Sequence, residues 1–396
     1  MRQKVVLAYS GGLDTSVIIR WLTERGYEVI AYMADVGQGS DFETYKKRAL
    51  ATGASAVVVD DLKKEFVDDF VFPSLAAGAV YEHGYLLATA LSRPVIAKGM
   101  VMVAHRYGAR FVAHGCTGKG NDQVRFEVTI RSLDPSLAIL APVREWELKT
   151  RSEEIEYAKE YRIPIDVTKK KPYSIDINLW GISIESGKLE DPYFEPPEDI
   201  YQLTKGVQRA AAKPVYVEVG FAKGLPVTLN GKPLGGVSLI TKLSKIAGDA
   251  GVGRSDMIEN RLVGIKSREI YEAPAGWTLL AAHRELESLV LDRETAHFKA
   301  MVALKYADLI YYGLWYTPLK EALDAFVGRT QKRVSGMVRL KLHKGTCAAV
   351  GRKSTHSLYK KELATYEEGD VFDQSLAKGF VELWGLPYKG SCKKLV

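Results

Sequence analysis

Short apolar runs alternate with amphipathic stretches along the first part of the chain. Residues 5–9 form an apolar run that ends at Ser10 and two glycines, and an apolar helical stretch follows at residues 17–22. A run that is apolar on both faces is typical of an interior strand of a parallel sheet. The same alternation predicts further strands at residues 28–34, 56–59, 111–114 and 137–140, and helices at residues 42–52, 62–70, 94–107 and 152–161. We therefore predict a parallel sheet covered by helices on both faces.

The pattern changes around residues 164–173, where two prolines flank a lysine run. Asn230-Gly231 further on is a strong signal for a hairpin turn. The later region predicts strands at residues 215–222 and 225–229, long helices at 277–291 and 297–312, and a hairpin of residues 334–343 and 346–350. We predict an α/β domain at residues 1–168, an α+β domain at residues 169–365 and a helical tail at residues 366–396.

The tail contains an apolar helical stretch with Phe380, Val381, Leu383 and Trp384. Such a helix at a chain terminus packs either on a partner subunit or on its own domain, and the sequence favours neither.

The turn after the first strand has the features of a phosphate-binding loop. Gly11 and Gly12 let the backbone approach a ligand, and Asp14, Thr15 or Ser16 can cap the helix that follows. Several backbone N–H groups and a helix N-terminus then meet where a phosphate is stabilised. No Gly-Lys-Ser/Thr closes the loop at the kinase-type spacing. A merely connecting turn is the alternative, but the whole string of residues 10–16 favours nucleotide binding and resembles the pyrophosphate loop of ATP-dependent synthetases.

A second polar string follows the predicted strand at residues 111–114. It contains three glycines within six residues and then a dense group of amides, carboxylates and a guanidinium. A helix that starts here places Asn121 and Arg125 on one face, and Arg can pair bidentately with a carboxylate. A capped helix start with surface ion pairs is the alternative interpretation. The loops at Ser10, Asp35 and Gly115 all follow strands, so we expect them to converge at the carboxyl edge of the sheet.

His114, beside this string, has two possible roles. It can act as a general acid or base near neutral pH, or it can end the strand and orient the loop by hydrogen bonding. We favour the orienting role, since no protein nucleophile is required by the chemistry considered below.

Composition and charge exclude several classes of protein. Hydrophobic residues make up 46% of the 396 residues and charged residues 26%, which is typical of a globular chain. The net charge of +7 suits either a solvated basic surface or the attraction of anionic small molecules. The sequence has no long basic block with interleaved aromatic residues, the pattern that would favour nucleic-acid binding. It also has no apolar run that approaches the roughly 18 residues needed to span a bilayer.

The cysteines add little chemistry. Cys116, Cys347 and Cys392 are too widely separated for a disulfide framework or a Cys-x-x-Cys metal site. We predict no protein metal site, no signal peptide and a cytoplasmic protein.

The two polar strings together resemble the argininosuccinate synthase family. Residues 10–16 and 114–127 carry the resemblance most specifically, because independent motifs must coincide in the same order. Further matching strings lie at residues 85–87, 93–94, 173–180, 253–256, 259–261 and 266–274. The resemblance extends from the N-terminus to about residue 275 and is weaker beyond it.

The resemblance implies an ATP-dependent ligase of arginine biosynthesis. Enzymes of the family use the ureido oxygen of citrulline to attack the α-phosphorus of ATP, which gives citrullyl-AMP and pyrophosphate. The aspartate amine then displaces AMP and yields argininosuccinate. The family further implies Mg²⁺ as the partner of ATP, no tightly bound organic cofactor, and a homotetramer. Its fold implies a parallel-sheet nucleotide-binding domain of the pyrophosphate-loop ATPase type, followed by an α+β synthetase domain.

The same resemblance assigns site residues. Those expected to contact ATP are Ala8, Tyr9, Ser10, Gly11, Gly12, Leu13, Asp14, Thr15, Ser16, Ala34 and Gly115. Those expected to hold aspartate are Thr117, Asn121 and Asp122. Those expected to meet citrulline are Tyr85, Ala90, Asn121, Arg125, Ser174, Ser183, Glu259 and Tyr271.

One position departs from the family pattern. The family has Gly-Thr-Ser after Tyr-Leu-Leu, whereas Ala88-Thr89-Ala90 stands here. The hydroxyl expected at position 90 is missing, so a citrulline contact there uses the backbone, moves to Thr89 or is lost.

Other functions are possible for a chain with this loop. A tRNA-modifying or thiolating synthetase also adenylates an oxygen, but it is expected to carry a thiol pair or a basic RNA-binding extension. A glutamine-dependent amide synthetase is expected to carry an amidotransferase portion with a nucleophilic cysteine, and we find none in this sequence. A nucleotide sensor without turnover has no need for the polar cluster at residues 117–125.

Overall fold

Within residues 2–165 and 173–391, the part of the chain that this computed structural model describes, the strands form three sheets. The strands of the first half are β1 (Gln3–Ala8), β2 (Tyr27–Asp35), β3 (Ala56–Asp61), β4 (Phe111–Ala113) and β5 (Ala138–Leu140). They form one parallel sheet in the order β3-β2-β1-β4-β5. The predicted α/β parallel-sheet domain is therefore confirmed.

Helices cover both faces of this sheet. They are α1 (Leu13–Glu24), α2 (Phe42–Thr52), α3 (Lys63–Glu65), α4 (Phe72–Ala77), α5 (Ala88–Tyr107), α6 (Asp122–Leu133), α7 (Pro142–Glu145) and α8 (Arg151–Glu160). Ile18 of α1 and Ala158 of α8 are buried in the core on one face. Met100 of α5 and Ile130 of α6 are buried in the core on the other.

Two predicted helices differ from the observed ones. In place of the single helix predicted at residues 62–70, the structure has the short helix α3 and a π-helical stretch, Phe66–Val71, which continues into α4. The irregularity precedes Pro73, which has no N–H to complete the α-helical bonding pattern. The helix predicted to begin at Pro94 begins at Ala88 instead. Because most of α5 is buried, packing outweighs the cost of an internal proline.

The second half is built from two antiparallel sheets and further helices, which confirms the predicted α+β region. Its strands are β6 (Ser174–Asn178), β7 (Gly181–Glu185), β8 (Val215–Ala222), β9 (Leu225–Leu229), β10 (Lys232–Pro233), β11 (Arg254–Asn260), β12 (Lys266–Glu272), β13 (Gly336–His343) and β14 (Thr346–Lys353). Its helices are α9 (Gly236–Asp249), α10 (Pro274–Val290), α11 (Arg293–Tyr311), α12 (Pro318–Gln331), α13 (Lys361–Ala364) and α14 (Ser375–Gly385). Short 3₁₀ helices lie at Gly187–Glu190, Glu198–Ile200 and Leu386–Tyr388.

The two sheets have separate positions in the fold. One has the order β10-β9-β8-β13-β14 and packs against α9 and α10. The other has the order β11-β12-β7-β6 and contacts α5 of the first half through β6 and β7. This four-stranded sheet, which the sequence analysis did not predict, carries the second half's contribution to the site described below.

The helix α14 at the C-terminal end lies exposed. Phe380, Leu383 and Trp384 are each more than half exposed. Three predicted features lie outside the described residues: the domain boundary at residue 168, the lysine run at residues 169–171 and Cys392. Among the helices of residues 2–165 and 173–391, none combines the length and apolar character needed to cross a membrane.

Candidate active site

The loop after β1 presents backbone groups at the start of α1. Gly11 has a φ of +78°, and a Cβ at this position would lie 2.5 Å from the ring of Tyr45. A residue other than glycine is therefore excluded both by conformation and by space. Gly12 is the N-cap residue, and no side chain caps α1. The N–H groups of the first helical turn thus remain available to an anion.

The predicted capping role of Asp14, Thr15 or Ser16 is wrong, because α1 already begins at Leu13. The two hydroxyls instead stabilise the loop from within. The Ser10 and Thr15 hydroxyls lie 3.1 Å apart, and the Ser16 hydroxyl donates to the Gly12 carbonyl oxygen at 2.7 Å.

The side chains of the loop point in two directions. Tyr9 and Leu13 are buried in the core below the loop, whereas Ser10 and Gly12 are exposed. Tyr9 and Leu13 therefore offer a ligand only their backbone.

The residues predicted to contact ATP come together at one edge of the sheet. Since β1 lies between β2 and β4, the loops that follow these three strands are neighbours. Ala34 is the second-last residue of β2. A Cβ at Gly115 would lie 3.2 Å from the Thr15 methyl group, so the loop after β4 packs directly against the start of α1.

The second polar string forms a glycine loop and the start of α6. Thr117 is exposed on the loop, and Asn121 precedes the helix as its N-cap residue. The amide of Asn121 donates to the Tyr311 hydroxyl at 2.8 Å, and its oxygen accepts from the Leu262 N–H at 2.9 Å. Both ends of this amide therefore contact residues of the second half of the chain.

Arg125 is buried one turn further along the same face of α6. Its Nε donates to the Tyr311 carbonyl oxygen at 3.0 Å, and its Nη1 lies 2.9 Å from the Asp122 carboxylate. Burial of this arginine excludes the alternative of a surface ion pair at the helix start.

Asp122 is held between two guanidinium groups. Arg93 of α5 donates to it at 2.8 Å and to Asp176 of β6 at 2.7 Å. Burial alone raises the pKa of the Asp122 carboxyl, but Arg93 and Arg125 outweigh it and lower that pKa overall. Asp122 therefore carries a negative charge at neutral pH, and Arg93 links it to the second half of the chain.

The four-stranded sheet turns a polar face to this cluster. Its strands alternate between isoleucines, which pack in a separate core, and polar residues, as an antiparallel sheet with one solvated face does. Cross-strand pairing aligns Ser255, Tyr271, Ser183 and Asp176 in one row. Ser174 begins β6 two residues before Asp176, on the same face. The polar face thus carries Ser174, Ser183, Glu259 and Tyr271, four of the residues predicted to meet citrulline.

Glu259 is the buried carboxylate of this face. It accepts hydrogen bonds from the hydroxyls of Tyr271 and Tyr311, both at 2.6 Å. Burial raises the pKa of Glu259, and the two tyrosine hydrogen bonds oppose that rise only in part. The carboxylate is therefore a fixed acceptor in a site of low polarity, a suitable partner for an ammonium group.

Tyr85 packs against the same cluster. Its ring stacks on Tyr271 with the centroids 4.1 Å apart, and its hydroxyl accepts from the Ala90 N–H at 3.1 Å. Ala90 is fully buried and its N–H is occupied. The neighbouring Thr89 hydroxyl lies 3.1 Å from that of Ser183, so the hydroxyl beside the predicted citrulline residues belongs to Thr89.

His114 orients the glycine loop. Its Nδ1 accepts from the Cys116 N–H at 3.3 Å, which leaves Nε2 to donate to Glu127 at 3.2 Å. Arg144 pairs with Glu127 at 2.7 Å from the other side. This geometry agrees with the orienting role expected for His114.

Three residues of the cluster were not predicted from the sequence, namely Asp176, Gln123 and Tyr311. Gln123 donates to the carbonyl oxygens of Gly118 and Gly120 and so holds the glycine loop. The alternation Ser-Ile-Asp-Ile-Asn could have identified Asp176 on a polar strand face. Tyr311 has no comparable local signal, and only the structure shows that Gly313, where a Cβ would lie 2.7 Å from the Arg125 Cα, lets it approach α6.

Comparison with known proteins identifies the family. The family model described as "Arginosuccinate synthase N-terminal HUP domain" matches residues 4–164, and "Arginosuccinate synthase C-terminal domain" matches residues 173–391. Argininosuccinate synthase of Carboxydothermus hydrogenoformans is 58% identical over 98% of this chain and 97% of that protein. The enzyme of the same name from Aquifex aeolicus is 56% identical, also over 98% and 97%.

A weaker likeness to a solved structure carries no argument. A protein described as a predicted subunit of tRNA methyltransferase from Methanocaldococcus jannaschii aligns with a TM-score of 0.28 and 14% identity, over 40% of this chain and 76% of that chain. The family models and the relatives, by contrast, cover nearly the whole chain and confirm the resemblance carried by the two polar strings. They support the main interpretation and not the tRNA-modifying alternative. The chain belongs to the argininosuccinate synthase family.

Proposed function

We propose that this ATP-dependent ligase joins citrulline to aspartate where the carboxyl edge of the parallel sheet meets the polar face of the four-stranded sheet. One observation carries the proposal. Asn121 and Arg125 of α6 are joined through Tyr311 to Glu259 of β11 in a single hydrogen-bonded cluster. Residues that the family resemblance assigns to two different amino acids therefore lie together beside a phosphate-binding loop.

ATP is proposed to lie along residues 8–16, Ala34 and Gly115. The exposed N–H groups at the start of α1 suit the phosphates, because a helix N-terminus stabilises negative charge. The Arg48 guanidinium, which donates to the Gly11 carbonyl oxygen at 2.5 Å, holds the loop in this shape.

Mg²⁺ is proposed to enter with ATP as part of the substrate complex. This cation keeps several waters and is commonly held by phosphate oxygens and one or two carboxylates. Asp14 lies in the first turn of α1 and is the carboxylate that the loop offers for this purpose.

The aspartate substrate is proposed to lie at Thr117, Asn121 and Asp122. The charge of Asp122, which Arg93 and Arg125 stabilise, suits the substrate ammonium group. The exposed Thr117 hydroxyl and the glycine loop offer donors to the substrate carboxylates.

Citrulline is proposed to lie over the polar sheet face, with Glu259 as the partner of its ammonium group. Arg125 and Asn121 face it from α6, and Tyr85, Ser174, Ser183 and Tyr271 line the remainder. Ala90 takes part only through its buried packing, and Thr89 supplies the hydroxyl, because Thr89 and not Ala90 reaches Ser183.

The reaction of the family is compatible with this placement. The ureido oxygen attacks the α-phosphorus, the bond to the bridging oxygen breaks, and pyrophosphate leaves from the loop. The aspartate amine then attacks the ureido carbon, loses a proton, and AMP departs with the oxygen. The protein aligns the reacting atoms and stabilises phosphate charge without a protein nucleophile.

A partial-reaction assay tests the proposal. The purified chain is incubated with ATP, Mg²⁺ and citrulline, with and without aspartate, and AMP, pyrophosphate and argininosuccinate are measured. We expect argininosuccinate only when all the substrates are present. Arg125→Ala should lose activity, whereas Arg339→Ala, which removes a surface pair with Glu218, should keep it. A folded wild-type chain that forms no argininosuccinate would refute the proposal.

The assembly is proposed to be a homotetramer of cytoplasmic chains. The apolar side chains Phe380, Val381, Leu383 and Trp384 on α14 are exposed, and a partner subunit would cover them. The tail from residue 366 onward would then form part of a subunit interface, and residues 1–168 and 169–365 would be the ATP-binding and synthetase domains.

A further inference from the structure

Tyr311, at the C-terminal end of α11, is the side chain on which the two amino-acid sites meet. Its hydroxyl accepts from the Asn121 amide at 2.8 Å and donates to Glu259 at 2.6 Å. Its carbonyl oxygen accepts from the Arg125 Nε at 3.0 Å. Tyr311 therefore contacts Asn121, which the family resemblance assigns to both substrates, and it contacts Glu259 and Arg125, which the resemblance assigns to citrulline.

The ring of Tyr311 is fixed as firmly as its hydroxyl. It stacks on Tyr81 with centroids 3.6 Å apart and a 9° angle between the ring planes. It meets Tyr85 edge to face at 6.3 Å, and the Arg125 guanidinium lies 4.8 Å from its centroid. A ring held on two sides leaves its hydroxyl little freedom, so the distance between Asn121 and Glu259 is set by this ring.

The Tyr311 hydroxyl remains a hydrogen-bond donor at neutral pH. Burial raises the pKa of the Tyr311 hydroxyl, and the neighbouring Glu259 charge raises it further. The hydroxyl therefore stays protonated throughout the working pH range. It donates to Glu259 whenever that carboxyl is ionised, so the tyrosine side of this hydrogen bond does not titrate.

Glycine at position 313 allows this placement. Gly313 has a φ of +75°, and a Cβ there would lie 2.7 Å from the Arg125 Cα. The chain can thus turn back at the end of α11 and bring Tyr311 directly against α6.

We propose that Tyr311 is a positioning residue that couples the citrulline site to the aspartate site by holding Glu259 and Asn121 in register. The role rests on the proposed function, since it concerns the two amino acids that the ligase joins. Tyr311 need not touch either substrate. It fixes the amide and the carboxylate that do, across the junction between the two halves of the chain.

The test is Tyr311→Phe, which removes the hydroxyl and keeps the stacked ring. We expect the KM for citrulline and the KM for aspartate both to rise about tenfold, because the variant loses the charge-assisted hydrogen bond to Glu259 and the acceptor of the Asn121 amide. The KM for ATP should change by less than about twofold, since loss of that bond leaves the loop at residues 10–16 untouched. Tyr271→Phe removes the other hydroxyl on Glu259 and should raise the KM for citrulline alone.

Tyr306→Phe is the matched control on the same helix. Its hydroxyl donates to Asp324 at 2.6 Å, and within the described part of the chain it makes no hydrogen bond to a residue of either proposed substrate site. This variant should lose thermal stability without a change in any KM. A Tyr311→Phe variant that behaves like Tyr306→Phe, or that loses kcat with all KM values unchanged, would overturn the proposal.

Glu259→Asp tests the coupling if Tyr311→Phe does not fold. It draws the carboxylate away from Tyr311 by one methylene, and we expect the KM for aspartate to rise together with that for citrulline. A rise for citrulline alone would contradict the coupling. A wild-type chain without ligase activity would instead refute the proposed function, so the two failures are distinguishable.

Discussion

At the scale of single residues, the structure shows how much of each polar side chain is left for a substrate. Arg125 holds Asp122 with Nη1 and the Tyr311 carbonyl with Nε, and among the described residues its Nη2 has no hydrogen-bond partner. That nitrogen is the one available to a substrate carboxylate. Charge and shape are therefore both required of this residue, and lysine cannot supply the forked geometry.

Arg125→Lys keeps the charge but loses the fork. We expect the KM for citrulline to rise at least about tenfold, the loss typical of a charge-assisted hydrogen bond, with a smaller effect on the KM for ATP. Steady-state kinetics with each substrate varied in turn measures both. An unchanged KM for citrulline would remove Arg125 from the citrulline site.

Glu259 gives the site a predictable pH dependence. Burial raises its pKa, so the neutral acid persists to a higher pH than in an exposed glutamate. Only the ionised form pairs with an ammonium group, and the KM for citrulline should therefore rise as the pH falls through this raised pKa. A pH series of the KM for citrulline checks the direction.

Glu259→Gln is the control for that series. The amide does not ionise, so the variant should bind citrulline weakly at every pH and lack the acid-side rise. Should the rise persist unchanged in the glutamine variant, Glu259 is not its source.

At the scale of elements, the loop between β1 and α1 depends on glycine for two separate reasons. Gly11 and Gly26 both have a positive φ, +78° and +84°. A Cβ at Gly11 would overlap the Tyr45 ring, whereas nothing lies within 4 Å of a Cβ at Gly26. Substitutions at these two glycines therefore distinguish the cost of a strained backbone, which both would share, from the loss of the loop shape, which only Gly11 would cause.

Gly11→Ala should therefore destroy ATP binding, whereas Gly26→Ala should cost only about 1 kcal/mol of folding free energy from the strained backbone. Isothermal titration with an ATP analogue and urea unfolding measure the two effects. Equal ATP affinity in the two variants would contradict the assignment of the loop.

Sequence patterns predicted the parallel sheet well because apolar runs such as residues 5–9 have one strong periodicity. The strand ends and the Gly-Gly turn then located the loop at Ser10. The four-stranded sheet was missed because its strands are half polar, and because the pairing of β7 with β12 at its centre joins segments that are far apart in sequence. Tyr311 was missed for the same reason, since its three partners lie 52 to 190 positions away.

At the scale of the whole molecule, the site is a junction between the two halves of the chain. The parallel sheet supplies the loop and α6, the second half supplies Glu259 and Tyr311, and Arg93 binds Asp122 and Asp176 across the junction. No single half contains the complete cluster, which explains why the matching strings extend so far along the sequence.

The exposed tail makes assembly testable in the full-length chain. Phe380→Ala combined with Trp384→Ala should lower the sedimentation coefficient from that of the proposed tetramer to that of smaller species, because the change removes apolar surface from the proposed interface. Met102→Ala, which truncates an exposed side chain on α5, is the control. An unchanged sedimentation coefficient for the double variant would contradict a role of α14 in assembly.

The proposed reaction begins when the ureido oxygen of citrulline attacks the α-phosphorus of ATP. Citrulline labelled with ¹⁸O in the ureido group tests it directly, by mass spectrometry of the products after turnover with ATP and aspartate. We expect the label in the phosphate of AMP, with none in argininosuccinate or pyrophosphate. Turnover that leaves AMP unlabelled would contradict it.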